Sequence, residues 1–295
     1  MKVSVVIRSK NEERFIGAVL ERVLEQEFSD PYEVLVLDSG SQDRTLAIVR
    51  GFPVRLVTMP PEQFTFGRAL NHGASLTAGD YVVFLSAHCV PRERTWLQAL
   101  TAPLARDVRV AATHGRQEPM PGGNPFEAIE LARAYTLRPD HTVRAPLSNA
   151  NSAVRRSVWQ HHSFDEQVTF GEHLLCARTL SALYTIQYVH EASVFHSHPL
   201  VFRYWRKRWY EEGRMGPYLT HVHAVADPWA TVPPVRTLVP KWQAFRRMRD
   251  DVGNLWRQRE IGALCWYPVY LMNRIYFFKK GQREREQEYR RVPRL

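Results

Sequence analysis

Val3-Ser4-Val5-Val6-Ile7 runs directly into Arg8-Ser9-Lys10-Asn11-Glu12-Glu13, and the same arrangement returns twice before residue 90. Val34 to Leu37 leads into Asp38-Ser39-Gly40-Ser41-Gln42-Asp43, and Tyr81 to Leu85 leads into Ser86-Ala87-His88. Short, continuous apolar runs rich in Val, Leu and Ile suit strands buried on both faces of a parallel sheet. In an open α/β sheet, ligands sit beyond the carboxyl ends of the strands. Three polar turns at three such ends therefore predict one shared site.

The segments between these strands read as helices. Ile16, Val19, Leu20, Val23 and Leu24 recur at a 3.6-residue period, with Asn11 as the expected N-cap and Glu12 and Glu13 in the first turn. Asp43 is the expected cap of a helix whose inner face holds Leu46 and Val49, and Val54 to Val57 reads as a third short strand. Arg68 to Ala78 reads as a helix closed by Gly79 at the C′ position. Alternating strands and helices with short connections predict a mostly parallel sheet with helices on both faces. Pro119 to Pro125 reads as a loop, Leu174 to Leu183 as helix, and Val194-Phe195 as a short strand ending at His196-Ser197-His198.

Charge divides the chain unevenly. Residues 201–295 hold 20 Lys/Arg against 9 Asp/Glu, 17 of the 34 aromatic residues and six of the eight tryptophans; residues 1–200 are close to neutral. The boundary is expected near residue 220, giving a domain over 1–220 and a basic, aromatic, helical extension over 221–295. Arg203-Tyr204-Trp205-Arg206-Lys207-Arg208-Trp209-Tyr210 is dense in both residue types. Ile261 to Met272 is apolar but interrupted by Pro268, and too short for the ~20 residues a spanning helix needs. An interfacial helix with aromatic anchors and flanking Lys/Arg fits it better. No helix-turn-helix, zinc-finger or RNA-binding signature accompanies the basic tail, so nucleic acid is not the expected partner. Cys89, Cys176 and Cys265 are odd in number and widely spaced, which argues against a disulfide framework and for a reducing compartment. Met1-Lys2 leads straight into a strand, so no secretion signal is expected.

These motifs, taken in order, resemble those of the inverting family 2 glycosyltransferases of the GT-A fold. Val3 to Ile7 with Asn11-Glu12 resembles the family's first strand and turn. Val36 to Asp43 resembles its VDDGSTD segment, and Gly67-Arg68-Ala69-Leu70-Asn71-His72-Gly73 its G-x-A-x-N-x-G helix start. Gly115-Arg116-Gln117, Ser148 to Arg156 and His196-Ser197-His198 are similar to its rhamnosyltransferase-like branch. The resemblance covers roughly residues 1–215. It implies transfer of a sugar from a nucleoside diphosphate donor to a hydroxyl of a lipid-linked or polysaccharide intermediate, in cell-envelope biosynthesis, at the inner face of the cell membrane. It also implies a donor site formed by Ser9, Asn11, Glu12, Asp38, Ser39, Arg68, Asn71, Ser86, Ala87, His88 and Arg116. Asn149, Trp205 and Trp209 are the implied acceptor contacts.

Each assignment has a plainer alternative. Asp38 either accepts from the base or ribose or only starts an Asx-turn. Arg68 and Arg116 either hold phosphate or are surface ion-pairing groups. Two positions depart from the family. Its metal-binding Asp-x-Asp is replaced by Ser86-Ala87-His88, which makes a plain Mg²⁺ site doubtful. His88 is left either as a ligand, with His196, for Mn²⁺ or a softer metal, or as an imidazolium facing phosphate. A metal-free enzyme using Arg and Lys, and a non-catalytic binding module, also remain open. The family's Glu-Asp pair reads Glu172-His173, which puts His173 in the slot of the general base, with Glu172 orienting it or acting in its place.

Overall fold

The computed structural model describes residues 2–138, 143, 147–167, 176, 180, 182–198, 200–222, 241–257 and 259–291. Strand β1 (Val3–Ser9) is central, parallel to β2 (Tyr32–Asp38) on one side and to β4 (Tyr81–Ser86) on the other. Next to β2 lies β3 (Arg55–Thr58), also parallel. Beyond β4 the sheet turns antiparallel through β7 (Asn151–Arg155), which pairs β4 and β6 (Val110–Pro119). The last pair is β8 (Thr185–His196), parallel to β6, and β5 (Cys89–Pro91), antiparallel to β8 at the edge. The order β3-β2-β1-β4-β7-β6-β8-β5 is a mostly parallel α/β sheet, as the strand–helix alternation predicts.

Side chains alternate between the two faces of the strands. Val5, Ile7, Val36 and Val83 pack against α1 (Ile16–Leu24) and α4 (Trp96–Arg106). Val6, Leu35, Leu37, Val82 and Phe84 pack with α3 (Phe66–Ser75). Two smaller helices, α2 (Thr45–Val49) and α6 (Arg156–His161), complete this part, while α5 covers Pro125–Tyr135. Register then sets the site. Ser9 pairs with Asp38 and Arg8 with Ser86, so the turns after β1, β2 and β4 leave the sheet at one level.

Several boundaries differ from expectation. Asn11 does not cap α1; its φ of 54° is left-handed, and the helix begins only at Ile16. Gly79 does not close α3, which ends at Ser75. A Cβ on Gly79 would stand 2.6 Å from the Ser4 backbone nitrogen, so Gly79 is there for close approach to β1. Asp43 behaves nearly as expected, accepting from the Thr45 N–H at 3.0 Å. The two-residue strand at Val194 is the end of the twelve-residue β8. Most of Leu174 to Leu183 lies outside the described residues.

The chain divides into two compact units. The first holds residues 1–121 and 130–198; the second holds 122–129 and 199–295. The expected break near 220 thus falls inside a helix, α7 (Phe202–Val222), which the second unit shares with α8 (Lys241–Arg257) and α9 (Ile261–Arg291). Gly213 and Gly281 let α7 and α9 approach closely: a Cβ on Gly213 would lie 2.0 Å from the Phe278 carbonyl oxygen, and one on Gly281 2.1 Å from that of Tyr210. Arg214 pairs with Glu288 at 2.8 Å across the same contact. Pro268 does not break its helix; α9 continues through it, with Ala263, Tyr267 and Tyr270 buried around that turn.

His114 on β6 is buried, and desolvation lowers its pKa from 6.5 to about 4. Between those values the unfolded chain binds a proton that the folded chain does not, so stability falls as pH drops through that window. Urea unfolding midpoints are expected to be flat above about pH 6.5 and to decline towards pH 4. In His114→Phe that part of the decline shrinks; an unchanged difference between pH 7 and pH 4.5 would reject the assignment.

Candidate active site

The first turn is built on the second. The Asn11 N–H donates to Ser41 Oγ at 2.7 Å, and the Gln42 N–H donates back to Asn11 Oδ1 at 2.8 Å. The Glu12 N–H donates to Thr45 Oγ1, and the Glu13 N–H to Asp43 Oδ2. Left-handed Asn11 thus aims its amide group across the gap, a conformation that asparagine tolerates better than most residues. Asp38 supports the second turn from beneath. Its Oδ1 accepts from the Gly40 and Ser41 N–H groups at 2.9 and 2.8 Å, and its Oδ2 from Ser41 Oγ at 2.5 Å. Asp38 is fully buried, so its carboxylate shapes this turn rather than facing solvent. Ser9 and Ser39 are buried as well and are joined by the Ser39 N–H donating to the Ser9 carbonyl.

Turn three meets turn one at His88, whose Nδ1 stands 2.6 Å from Glu12 Oε1, with the two side chains 17% and 19% exposed. Around His88 gather two more imidazoles, His196 at 5.0 Å and His198 at 4.5 Å between ring centres. Cys89 is register-paired with His196 across β5 and β8, so both side chains project from one side of the sheet. Ser86 and Ala87 are buried. Arg8, at the end of β1, reaches Ser86 Oγ and the Asn149 carbonyl at 3.4 and 3.3 Å and lies over the Phe66 ring at 5.1 Å. Arg8 therefore joins the end of β4, the loop before β7 and the start of α3.

The start of α3 has a second task. Asn71 uses both ends of its amide. Its Oδ1 accepts from Trp159 Nε1 and the Phe164 N–H, and its Nδ2 donates to the Phe164 carbonyl and Glu166 Oε1. Gly67 has no room for a side chain, because a Cβ would lie 2.0 Å from the Asp165 carbonyl oxygen. Arg68 pairs with Glu166 at 3.2 Å and donates to the Gln63 carbonyl, with 44% of its side chain exposed. The G-x-A-x-N segment thus clamps residues 164–166. Glu172 and His173 follow a few positions later in sequence but lie outside the described residues.

On the far side, Arg116 is 3.7 Å from Glu118, which Arg92 holds at 2.7 Å, and Arg116 NH1 stands 3.4 Å from His190 Nε2. Asn149 is buried and accepts from Ser152 Oγ through its Oδ1 at 3.4 Å. Asn151 ties three strands together, accepting from Trp96 Nε1 and donating to the Arg116 and Ala192 carbonyls. Trp205 and Trp209 are 2% and 1% exposed, packed with Tyr267 and Tyr270 in the core of the second unit. Their faces are covered, which corrects the expectation that they stack on an acceptor. Arg8, Cys89 and Glu166 were missed in the sequence. For Arg8 the signal was present: a cation closing an otherwise apolar strand.

Residues 4–161 match the family model for glycosyl transferase family 2. O-antigen chain rhamnosyltransferase WbaN of Salmonella anatum is 29% identical over 70% of this chain and 66% of its own length, so the chain spans about two thirds of that relative. Among solved structures, the mannosyltransferase PcManGT of Pyrobaculum calidifontis, in complex with GDP-Man and Mn²⁺, is 17% identical with a TM-score of 0.58 over 95% of this chain and 85% of that one. Glucosyl-3-phosphoglycerate synthase of Mycobacterium tuberculosis, in complex with Mn²⁺, uridine diphosphate and phosphoglyceric acid, is 26% identical with a TM-score of 0.51 over 67% and 71%. The polar turns converge at the ends of a GT-A sheet, and the chain belongs to glycosyl transferase family 2. It is a glycosyltransferase.

Asn71→Ala removes four hydrogen bonds and strands the indole N–H of Trp159. A loss of about 2–4 kcal/mol in unfolding free energy is expected. A change below about 0.5 kcal/mol in chemical denaturation would show that the clamp is not formed.

Proposed function

We propose that the protein transfers a sugar, with inversion, from a nucleoside diphosphate donor to a hydroxyl of a lipid-linked or polysaccharide intermediate. A deoxy sugar on dTDP, such as rhamnose, is the leading donor. The observation that carries this reading is the convergence of the first and third turns on the Glu12–His88 contact, with the second turn hydrogen-bonded to the first. The relative named as an O-antigen chain rhamnosyltransferase supports the donor class and the acceptor class.

Inversion requires the acceptor oxygen to attack the anomeric carbon from the side opposite the diphosphate. The C1–O bond to phosphate breaks as the acceptor proton passes to a base. By its position in the sequence that base is His173, with Glu172 beside it. Arg68 and Arg116 are the exposed cations of this unit suited to the departing diphosphate. A divalent cation, when bound, would offset the charge of that leaving group.

A thermal-shift panel of dTDP-rhamnose, UDP-glucose and GDP-mannose tests the donor. A ligand at 100 times its Kd adds about 2.7 kcal/mol and raises the melting temperature by several degrees. We expect dTDP-rhamnose to give the largest shift; no shift from any member rejects the reading. In His173→Ala, kcat should fall by about 100-fold or more with donor affinity little changed. Unchanged turnover removes His173 as base.

The reading extends to the cytoplasmic face of the cell membrane. In α8, Met248, Val252 and Trp256 are exposed at i, i+4 and i+8, and Ile261, Trp266, Met272 and Tyr276 are exposed on α9. They sit in the segment that carries the basic excess. Exposed aromatic and aliphatic side chains among Lys and Arg suit an anionic bilayer interface. No helix among the described residues is long and apolar enough to cross a membrane. Co-sedimentation with phosphatidylglycerol vesicles is expected, with little on phosphatidylcholine and several-fold less for Trp256→Ser/Trp266→Ser. Equal recovery with and without anionic vesicles refutes the membrane role.

A further inference from the structure

We infer that the turn after β4 and the end of β8 form a nitrogen–sulfur site for a borderline divalent cation such as Zn²⁺ or Co²⁺, in place of an oxygen site for Mg²⁺. The inference concerns the pocket proposed above to hold the donor diphosphate, but metal binding there does not require that reading to hold.

The donor set decides the metal. Where the family has carboxylates, Ser86 and Ala87 are buried and Ala87 offers no ligand atom. Mg²⁺ takes oxygen ligands at near-ideal octahedral geometry, and nothing in this triplet supplies them as carboxylate. What the fold brings together is one ligand atom each from His88, Cys89 and His196, all within 4.8 Å of one another. Tetrahedral Zn²⁺ with bonds of about 2.0–2.3 Å holds its ligand atoms about 3.3–3.7 Å apart. Small side-chain rotations close that difference. His198 stands 4.5 Å, ring to ring, from both His88 and His196, within reach as a further imidazole. Imidazole and thiolate together favour Zn²⁺ and Co²⁺ over Mg²⁺.

The sheet positions two of these ligands before any ion arrives. Cys89 and His196 are cross-strand partners on β5 and β8. The third is oriented by a carboxylate. Glu12 Oε1, 2.6 Å from Nδ1, can accept a proton only from that nitrogen, which in the neutral ring leaves the lone pair on Nε2 for a cation. A carboxylate behind a metal-binding imidazole fixes its tautomer and raises its basicity. Glu12 is thus a positioning residue rather than a ligand.

The test is a Co²⁺ titration of the full chain, without donor, followed in the visible and near-ultraviolet. We expect stoichiometric d–d bands of tetrahedral intensity, a thiolate-to-cobalt charge-transfer band, and loss of both on adding Zn²⁺ but not Mg²⁺. His88→Asn and His196→Gln should abolish the bands, Cys89→Ser should remove only the charge-transfer band, and Glu12→Gln should weaken binding by about 10–100-fold. Circular dichroism confirms that each variant folds; because His196 is buried, the partly exposed His88 variant carries the decision if His196→Gln does not fold. Absence of tetrahedral bands, bands unaltered in His88→Asn, or displacement by Mg²⁺ as readily as by Zn²⁺ would each overturn the inference. A donor-induced thermal shift in excess chelator separates the two ideas: donor binding without Co²⁺ bands leaves the proposed function standing alone, and Co²⁺ bands without donor binding leave the metal site standing alone.

Discussion

A carboxylate and an imidazole 2.6 Å apart join two turns that are 76 residues apart in sequence. Glu12 belongs to the turn after β1 and His88 to the turn after β4, strands that are hydrogen-bonded neighbours. Because β2 flanks β1 on its other side, any group fixed at the first turn is also fixed against the second. The pairing of Arg8 with Ser86 and of Ser9 with Asp38 puts these turns at one height. Side-chain alternation allows no half-measures here. A slip of one residue in either register would exchange the two faces of the central strands and break both hydrophobic layers. Core packing therefore holds the site in place, and the Glu12–His88 contact completes what the register begins.

Several family motifs turn out to be scaffolding. Asp38 closes a turn, Asn71 and Gly67 clamp the segment before Glu172 and His173, and Asn151 ties β7 to β6 and β8. Gly115 belongs to the same construction. A Cβ there would lie 1.9 Å from the Ala192 carbonyl oxygen, beside the bulge that shifts the β6–β8 register. Buried amides of this kind are fully committed when all their donors and acceptors are paired, and each fixes several backbone segments at once. The Arg68 guanidinium and the His88 imidazole, by contrast, keep part of their surface exposed.

Legibility followed the range of the interaction. β1, β2, β4 and α1 could be read because each is a local pattern, a continuous apolar run or a 3.6-residue period, and the structure retains it. β6, β7 and most of β8 were not read as strands. Thr113, His114, Asn151 and Ser152 are polar yet buried, and the side-chain partners of Thr113 and Asn151 are 13 to 55 residues away in the chain. Asn11 was misread as a cap because the cue, an amide before a helical run, is shared by caps and by left-handed bridging residues. His88 and His196 were recognised, but Cys89 was not, since only strand pairing brings a cysteine beside a histidine 107 positions away.

Replacement of both metal-binding acids by Ser86-Ala87-His88 is what a pocket without its chemistry would also show. The arrangement around His88 argues otherwise. A chain that has lost catalysis is under no constraint to hold three imidazoles, a thiol and a carboxylate in a largely desolvated cluster, because polar groups removed from water weaken a fold unless paired. Apolar side chains of similar size would pack there at less cost. Instead the surrounding strands place each group by register, with a carboxylate oriented on the nearest ring. Where the family carries acids, the end of β4 here carries His88, and β5 and β8 bring Cys89 and His196 beside it, so the position keeps a cluster of groups able to ligate a cation.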